Sequence, residues 1–497
     1  MKYRLLVVGM AIAFGLLPAL QHTAIASEQL TQLSTDPYVN PDSRHRTQVE
    51  PDTFSFGNGI VAAFQVGRFF DGGASNIGWA TSTNRGESWT HGFLPSTTVN
   101  ANPKGSYGRA SDASVAFDAR HGVWVISYLL FDTASSPAYV FASRSTDGGL
   151  TWGKPVVVNK IAGSSDDKNW SVCDDTTSSP FYGHCYTEFD YTSLGDLEEV
   201  STSSDGGLTW GASKPTANGA HGLGGQPLVQ PDGTVVVPFE GFDASFFVSI
   251  SAFVSHDGGA SWSSAVQVSA ADFQPPAAPL RTSPLQSAEI DHSGKVYVVW
   301  SDCRFEPNCR TNDFVLSTSS NGLTWSPPRR IPIGAVGSGV DYEIPGLSVD
   351  RRTIGGSAHV GLAYYSLPKS CTASSCQLDV GFVSSTDAGA SWSSPEHLAG
   401  PMNLNWTPNT TQGRMVGDYI STSIIPGDDD ATPVFEVAFA PTGSASCGLS
   451  PIVCHQSTYT TPEDLAALRG GPVSTGSSES AVAAGHGYRV SGPPTAH

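Results

Sequence analysis

The chain has 497 residues and a formal charge of −19, from 26 Lys and Arg against 45 Asp and Glu. That balance excludes non-specific binding to nucleic acid or to anionic membranes. With 53 Gly, 34 Pro and only 14% charged residues, the composition suits a turn-rich β protein.

Lys2 and Arg4 precede an apolar run from Leu5 to Leu20, and Ala24-Ile25-Ala26 has the small-x-small form of a cleavage site. Residues 1–26 therefore read as a secretory signal peptide, with a lead over 27–47 behind it. No other stretch is long and apolar enough to cross a bilayer. The expected mature protein is secreted, extracellular, monomeric and not inserted in a membrane.

From Ser82 one short segment recurs. It reads STNRGESW at Ser82, STDGGLTW at Ser145, SSDGGLTW at Ser203, SHDGGASW at Ser255, SSNGLTW at Ser319 and STDAGASW at Ser385. Its Asp carboxylate can accept backbone N–H bonds and close a tight turn, while the Gly residues supply φ > 0. The Trp opens the following strand. The starts lie 63, 58, 52, 64 and 66 residues apart. A strand-built period of that size fits one four-stranded blade of an all-β propeller, which overrides the two or three domains that length alone suggests.

Strand signals accompany each segment. Second strands are predicted at Ile60–Val66, Val123–Leu129, Val235–Phe239 and His359–Tyr364. In the fifth repeat Leu285–Ile290 and Lys295–Trp300 are the first and second strands, and Trp325 opens the fourth. After the sixth segment, Tyr419–Ile425, Val434–Ala440 and Gln456–Thr460 form a partial repeat without an outer strand. Glu28–Ser34 could supply it. Antiparallel blades over 48–462 are thus expected, seven being favoured and six the alternative, with 463–497 a flexible tail. The eight cysteines fall in close pairs, Cys173/Cys185, Cys303/Cys309, Cys371/Cys376 and Cys447/Cys454, which predicts local disulfides in an exported chain. No spacing indicates a metal site. Asp428-Asp429-Asp430 and Asp166-Asp167 are where calcium could bind, and no other cofactor is expected.

Strand direction decides which loops share a face. The recurring turns join third to fourth strands, so a site at the opposite mouth draws on ends of second strands and starts of first strands. That rule selects Arg68, Asp71, Arg109, Asp112, Asp167, Lys168, Trp170, Glu240, Asp243, Asp302, Arg304, Glu306, Asp341, Tyr342, Glu343, Arg414, Asp418 and Tyr419.

The recurring segment resembles the Asp-box, or bacterial neuraminidase repeat, of sialidase-like propellers. The resemblance implies a scaffold role for the boxes and a glycan-acting hydrolase that removes a terminal acidic sugar with retention. Sialidases bind the substrate carboxylate with three arginines and use a Tyr nucleophile activated by a Glu, with an Asp as acid/base. Carried onto this chain, the arginines are Arg109, Arg304 and Arg414, with Arg68 in reserve. Tyr342 or Tyr419 is the nucleophile, Glu343 or Glu240 its base and Asp112 the acid. The chain departs from the family in two ways. Sialidases have six blades and carry Arg-Ile-Pro on the first inner strand, where this chain has Gln48-Val49-Glu50-Pro51; its Arg330-Ile331-Pro332 falls on an outer strand. The expected partner is a carbohydrate or glycoconjugate. A polysaccharide lyase or other glycosidase, and a non-catalytic carbohydrate- or protein-binding propeller, are the alternatives.

Overall fold

The computed structural model describes residues 30–276, 278–448, 453–462, 465–471, 473–474 and 487–490, so the predicted signal peptide lies outside the described residues. The fold is all-β, with short 3-10 turns and no α-helix among the described residues.

Antiparallel sets of strands follow one another along the chain. The first comprises Gln48–Phe56, Gly59–Arg68, Ala74–Ser82 and Thr90–Phe93. The same meander recurs from Arg109–Asp118, from Asp166–Cys173, from Ser287–Ile290 and from Val340–Val349. In the fourth set the first strand is split into His221–Leu223 and Leu228–Val229, both paired with Val235–Phe242. The split falls at Gly224, whose φ of 66° suits a residue without Cβ.

The last set is built from both ends of the chain. Ser421–Ile424, Ala431–Ala438 and Gln456–Thr460 form three strands, and Thr31–Gln32 pairs with Gln456–Thr460 as the fourth. The outer strand thus falls within the Glu28–Ser34 segment predicted to complete the set. Hydrogen bonds link consecutive sets near their first strands. Val115 N–H donates to Asp52 at 2.7 Å, Ser171 N–H to Ser114 Oγ at 3.0 Å and Ala288 N–H to Gln226 Oε1 at 2.7 Å. Leu347 N–H donates to Ser287 Oγ and Thr422 Oγ1 to the Gly346 carbonyl. Ser55 Oγ then donates to the Ile424 carbonyl at 2.7 Å, which joins the first set to the last.

The recurring turns follow the expected logic. Asp205 Oδ1 accepts from the N–H groups of Leu208 and Thr209 at 3.0 and 2.9 Å, and Oδ2 accepts from Thr209 Oγ1 at 2.6 Å. Gly206 and Gly207 have φ of 73° and 75°. In the short fifth copy one amide oxygen does the same work: Asn321 Oδ1 accepts from Leu323 N–H, Thr324 N–H and Thr324 Oγ1. In this copy the Trp does not begin the next strand directly. Trp325 Nε1 instead donates back to the Gly322 carbonyl at 3.1 Å, and the outer strand starts at Arg329. Disulfides join Cys173–Cys185, Cys303–Cys309, Cys371–Cys376 and Cys447–Cys454.

The end of the chain differs from the expected tail. Ala466 and Leu468 are buried in the core shared by the last two sets, and Gly487–Val490 lies on the fourth set through backbone bonds. Apolar burial outweighed a Gly/Ser-rich composition at Ala466 and Leu468.

Two measurements test these contacts. Leu33 is fully buried against Phe64 and Val434, and its N–H donates to the Thr458 carbonyl. Leu33→Ala should lower stability by about 2–5 kcal/mol in urea denaturation, as buried Leu truncations do. The second concerns acid. Hydrogen bonds from Thr151 and Ser145 outweigh slight burial and hold the Asp147 carboxyl down at about 2; Asp205, Asp257 and Asp387 are lowered likewise. Their stabilisation is complete above the ordinary value of 3.8 and lost as pH falls towards 2. Replacing Asp147, Asp205 and Asp257 by Asn should flatten the loss of stability between about pH 4 and 2, because the amide accepts but does not titrate.

Candidate functional site

At the end of the sets opposite the recurring turns, β-bulges interrupt several first strands. Register shifts occur between Val49 and Asp52, Ser111 and Ser114, Asp167 and Trp170, and Glu343 and Gly346. At three of them a charged residue adopts a left-handed backbone: Glu50 at φ 56°, Asp112 at 48° and Lys168 at 46°. Such φ values are costly for side chains of this kind, and bulges re-aim the residue they carry. Here the three side chains converge.

Lys168 is the hub. Its Nζ lies 2.5 Å from Asp418 Oδ2, 3.2 Å from Asp112 Oδ1 and 3.6 Å from Glu50 Oε1. Arg281 grips the same Asp418 from the other side, Nε to Oδ1 at 2.6 Å and Nη2 to Oδ2 at 2.5 Å. Gln65 donates to Glu50 Oε2, and the Asp418 N–H donates to Glu50 Oε1 at 3.2 Å. Lys168, Asp167, Glu240, Arg281, Asp418 and Val490 line a pocket of about 100 Å³. A cavity of 260 Å³ at the opposite end, lined by Val172, Leu228, Ile290 and Arg351 among others, lacks this convergence of charge.

Burial and charge move these groups in opposite directions. Burial pushes Glu50 up to about 7 although Lys168 opposes it, and burial likewise raises Glu240 to about 7. Glu240 Oε2 accepts from Ser283 Oγ at 2.9 Å, which offsets only part of that rise. Burial would also raise Asp418, but the Arg281 and Lys168 cations hold it well below the usual carboxylate range. Lys168 is disfavoured by burial, yet Asp112, Asp418 and Glu50 keep it charged.

The residues selected from the sequence divide. Asp112, Asp167, Lys168, Glu240 and Asp418 belong to the cluster or its pocket, and Tyr419 packs beside it. The Tyr419 ring meets Trp170 edge-on at 5.1 Å, and its hydroxyl donates to the Ala113 carbonyl at 3.3 Å. Burial and then the Asp112 and Glu50 carboxyls push its phenol well up, the opposite of what activates a nucleophile. Glu343 is fully buried, accepting from Asn312 Nδ2 at 2.7 Å and Thr282 Oγ1 at 3.2 Å, and burial pushes its carboxyl well up. Tyr342 packs between Phe314 and Tyr364, where burial raises its phenol to about 12.

The arginines expected to converge are not brought together. Arg109 pairs with Asp71 at 2.8 Å and covers the Phe69 ring, and Arg304 folds back onto Asp302 at 2.6 Å. Arg414 donates to the Thr407 and Cys447 carbonyls at 2.8 and 2.6 Å. Arg68 is buried beside the cluster, donating to the Gly73 carbonyl and to Met415 Sδ. Arg330 bonds Asp313 on the outer strand. Arg281 was missed because it lies in the connection ahead of the fifth set; extending the rule for starts of first strands back to Leu280–Ser283 would have found it. Among the described residues no group of three or more His, Cys, Asp or Glu side chains is arranged to hold a metal ion. None of their helices is long and apolar enough to cross a membrane.

No family profile and no curated protein matches the sequence. Among solved structures the chain is similar to the leech intramolecular trans-sialidase, at 14% identity and TM-score 0.45 over 67% of each chain. A protein of unknown function from Dyadobacter fermentans is similar at 14% identity and TM-score 0.45, covering 71% of this chain and 98% of the other. The intramolecular trans-sialidase of Ruminococcus gnavus is similar at 12% identity and TM-score 0.42, covering 88% and 99%.

The hub sets a stability test. Lys168→Met leaves Glu50, Asp112 and Asp418 without their shared cation, and removing one partner of a buried ion network costs about 3–5 kcal/mol. Denaturation at neutral pH should show a loss of that size.

Proposed function

We propose that the chain is a secreted glycan hydrolase that removes a terminal acidic sugar at the mouth of a closed seven-bladed propeller, with Glu240 and Asp418 as its chemical pair. The observation that carries this reading is that both carboxyls line one pocket while their environments drive their proton affinities apart. Such a division is how two like groups take up acid and base roles. Glu240, protonated up to about pH 7, is suited to protonate a leaving glycosidic oxygen. Asp418 stays ionised and can stabilise or attack the oxocarbenium-like centre, with retention through an Asp418 ester.

The acidic-sugar preference follows from the same groups. Arg281 and Lys168 stand in the pocket wall, and Arg281 Nη1 bonds no described residue. Protonation of Glu50 and Glu240 below about pH 7 removes two negative charges from their surroundings, so acid favours an anionic ligand. The carboxyl pair stands in this reading where the family resemblance places a tyrosine and three arginines.

A non-catalytic glycan-binding role has one observation in its favour: both oxygens of Asp418 are already engaged by Arg281 and Lys168. Turnover separates the two readings. Against a panel of fluorogenic sugars that includes a sialoside, the wild-type rate should fall as pH rises through about 7. Glu240→Gln should lower kcat about 10²–10⁴-fold, the usual range for a general acid, with the melting temperature maintained. Product NMR should show the retained anomer first. Binding without turnover anywhere between about pH 4 and 8 would overturn the hydrolase reading and leave the binding one.

A further inference from the structure

The pocket as it stands is small. One water occupies about 30 Å³ of liquid, and pockets that hold drug-sized ligands run to about 300–1,000 Å³. At about 100 Å³ the mouth pocket falls below that range. The ion cluster cannot yield that room without breaking buried charge pairs. Several wall residues carry no charge, Leu223, Leu285 and Gln412 among them, and of these Val490 comes from the far end of the chain.

The segment that brings Val490 there is held in a particular way. Val248 N–H donates to the Tyr488 carbonyl at 2.9 Å, Tyr488 N–H to the Ala271 carbonyl at 3.0 Å and Val490 N–H to the Phe246 carbonyl at 3.2 Å. Gly487 N–H donates to Asp272 Oδ1 at 2.8 Å, and Arg489 Nε to the Ser245 carbonyl at 2.6 Å. The Tyr488 ring meets Phe273 edge-on at 5.1 Å. Val248 opens the strand Val248–Ser255, and the other partners lie in the loops bordering that strand and Val266–Ala270 of the fourth set. A few bonds of modest net worth must offset the ordering of four residues, so attachment sits near balance. Segments of that kind open locally while the fold stays intact.

We propose that Gly487–Val490 is a displaceable cap on the mouth pocket: seated, it keeps the pocket too small for a sugar, and released, it admits one. This rests on the reading of the pocket as the glycan site. The cap regulates access, because Val490 forms part of the wall and touches none of the proton transfers assigned to Glu240. Loss of the segment, by proteolysis or by a competing surface on the fourth set, converts a closed enzyme into an open one.

Access can be measured without relying on turnover. The native cysteines are all in disulfides, so Ser283→Cys places a single thiol in the pocket wall. Its labelling by a maleimide should be at least about 10-fold faster in a chain ending at His486 than in the full chain, as expected when a local opening is made permanent. Tyr488→Ala in the full-length chain, which removes the Phe273 contact, should give an intermediate rate and covers the case in which the shortened chain does not fold. In the chain without the Ser283 change, the same truncation should raise kcat/KM on a fluorogenic acidic-sugar glycoside. Labelling rates equal within about twofold across folded variants would overturn the cap. Faster labelling with no turnover in any form would sustain the cap and remove the hydrolase reading instead.

Discussion

Lys168 is an ammonium group withdrawn from water, and it remains charged because carboxylates from three other parts of the chain reach it. Glu50 comes from the first set, Asp112 from the second and Asp418 from the segment before the last. A buried charge without partners would lose its proton or disrupt the fold. The positions of the first strands are therefore coupled at their mouth ends: moving one set away from the others strips a partner from Lys168. Further along the first strands the coupling passes to hydrogen bonds such as Ser171 to Ser114 and Ser55 to Ile424. The cluster and these bonds together hold the first set against the last, beside the outer strand that Thr31–Gln32 adds at the rim.

The strands and turns were legible because their causes are local. A Ser, an Asp or Asn, Gly residues and a Thr or Ser within eight positions fix a turn wherever they occur, and alternation fixes the strands around it. Substituting Asn321 for Asp and dropping one residue leaves the turn closed, since what the backbone requires is an acceptor oxygen and not a charge. The missing outer strand of the last set was readable by counting strands. The seated segment at 487–490 was not, because its attachment depends on backbone groups of the fourth set that no composition reveals.

The site was only half legible, and the division has a physical reason. Mouth position could be inferred from strand direction, which picked out Asp112, Lys168, Glu240, Asp418 and Tyr419, residues that lie in or beside the ion cluster and its pocket. Partner choice could not. Arg304 lies two residues from Asp302 and pairs with it, a local outcome visible in the sequence as a competing reading. Arg281 and Asp418 are 137 positions apart, and nothing short of the folded chain relates them. Glu50 occupies the region where the family resemblance calls for an arginine, and its role became evident only when Lys168 was found opposite it.

Stability alone does not account for this cluster. Desolvating several charges costs more than their pairing reliably returns, and well-packed apolar side chains of the same volume would serve the fold as well or better. The backbone adds to that cost, since each non-glycine residue held at φ > 0 stores about 1–3 kcal/mol. Glu50, Asp112 and Lys168 are all so held, and each is the residue whose side chain enters the cluster. Were the bulges needed only to curve the strands, glycine would do, as it does at Gly224 and in the recurring turns. Strain at charged residues, repeated on three first strands and directed at one point beside a pocket, fits a site in which charge placement matters more than the ease of folding around it.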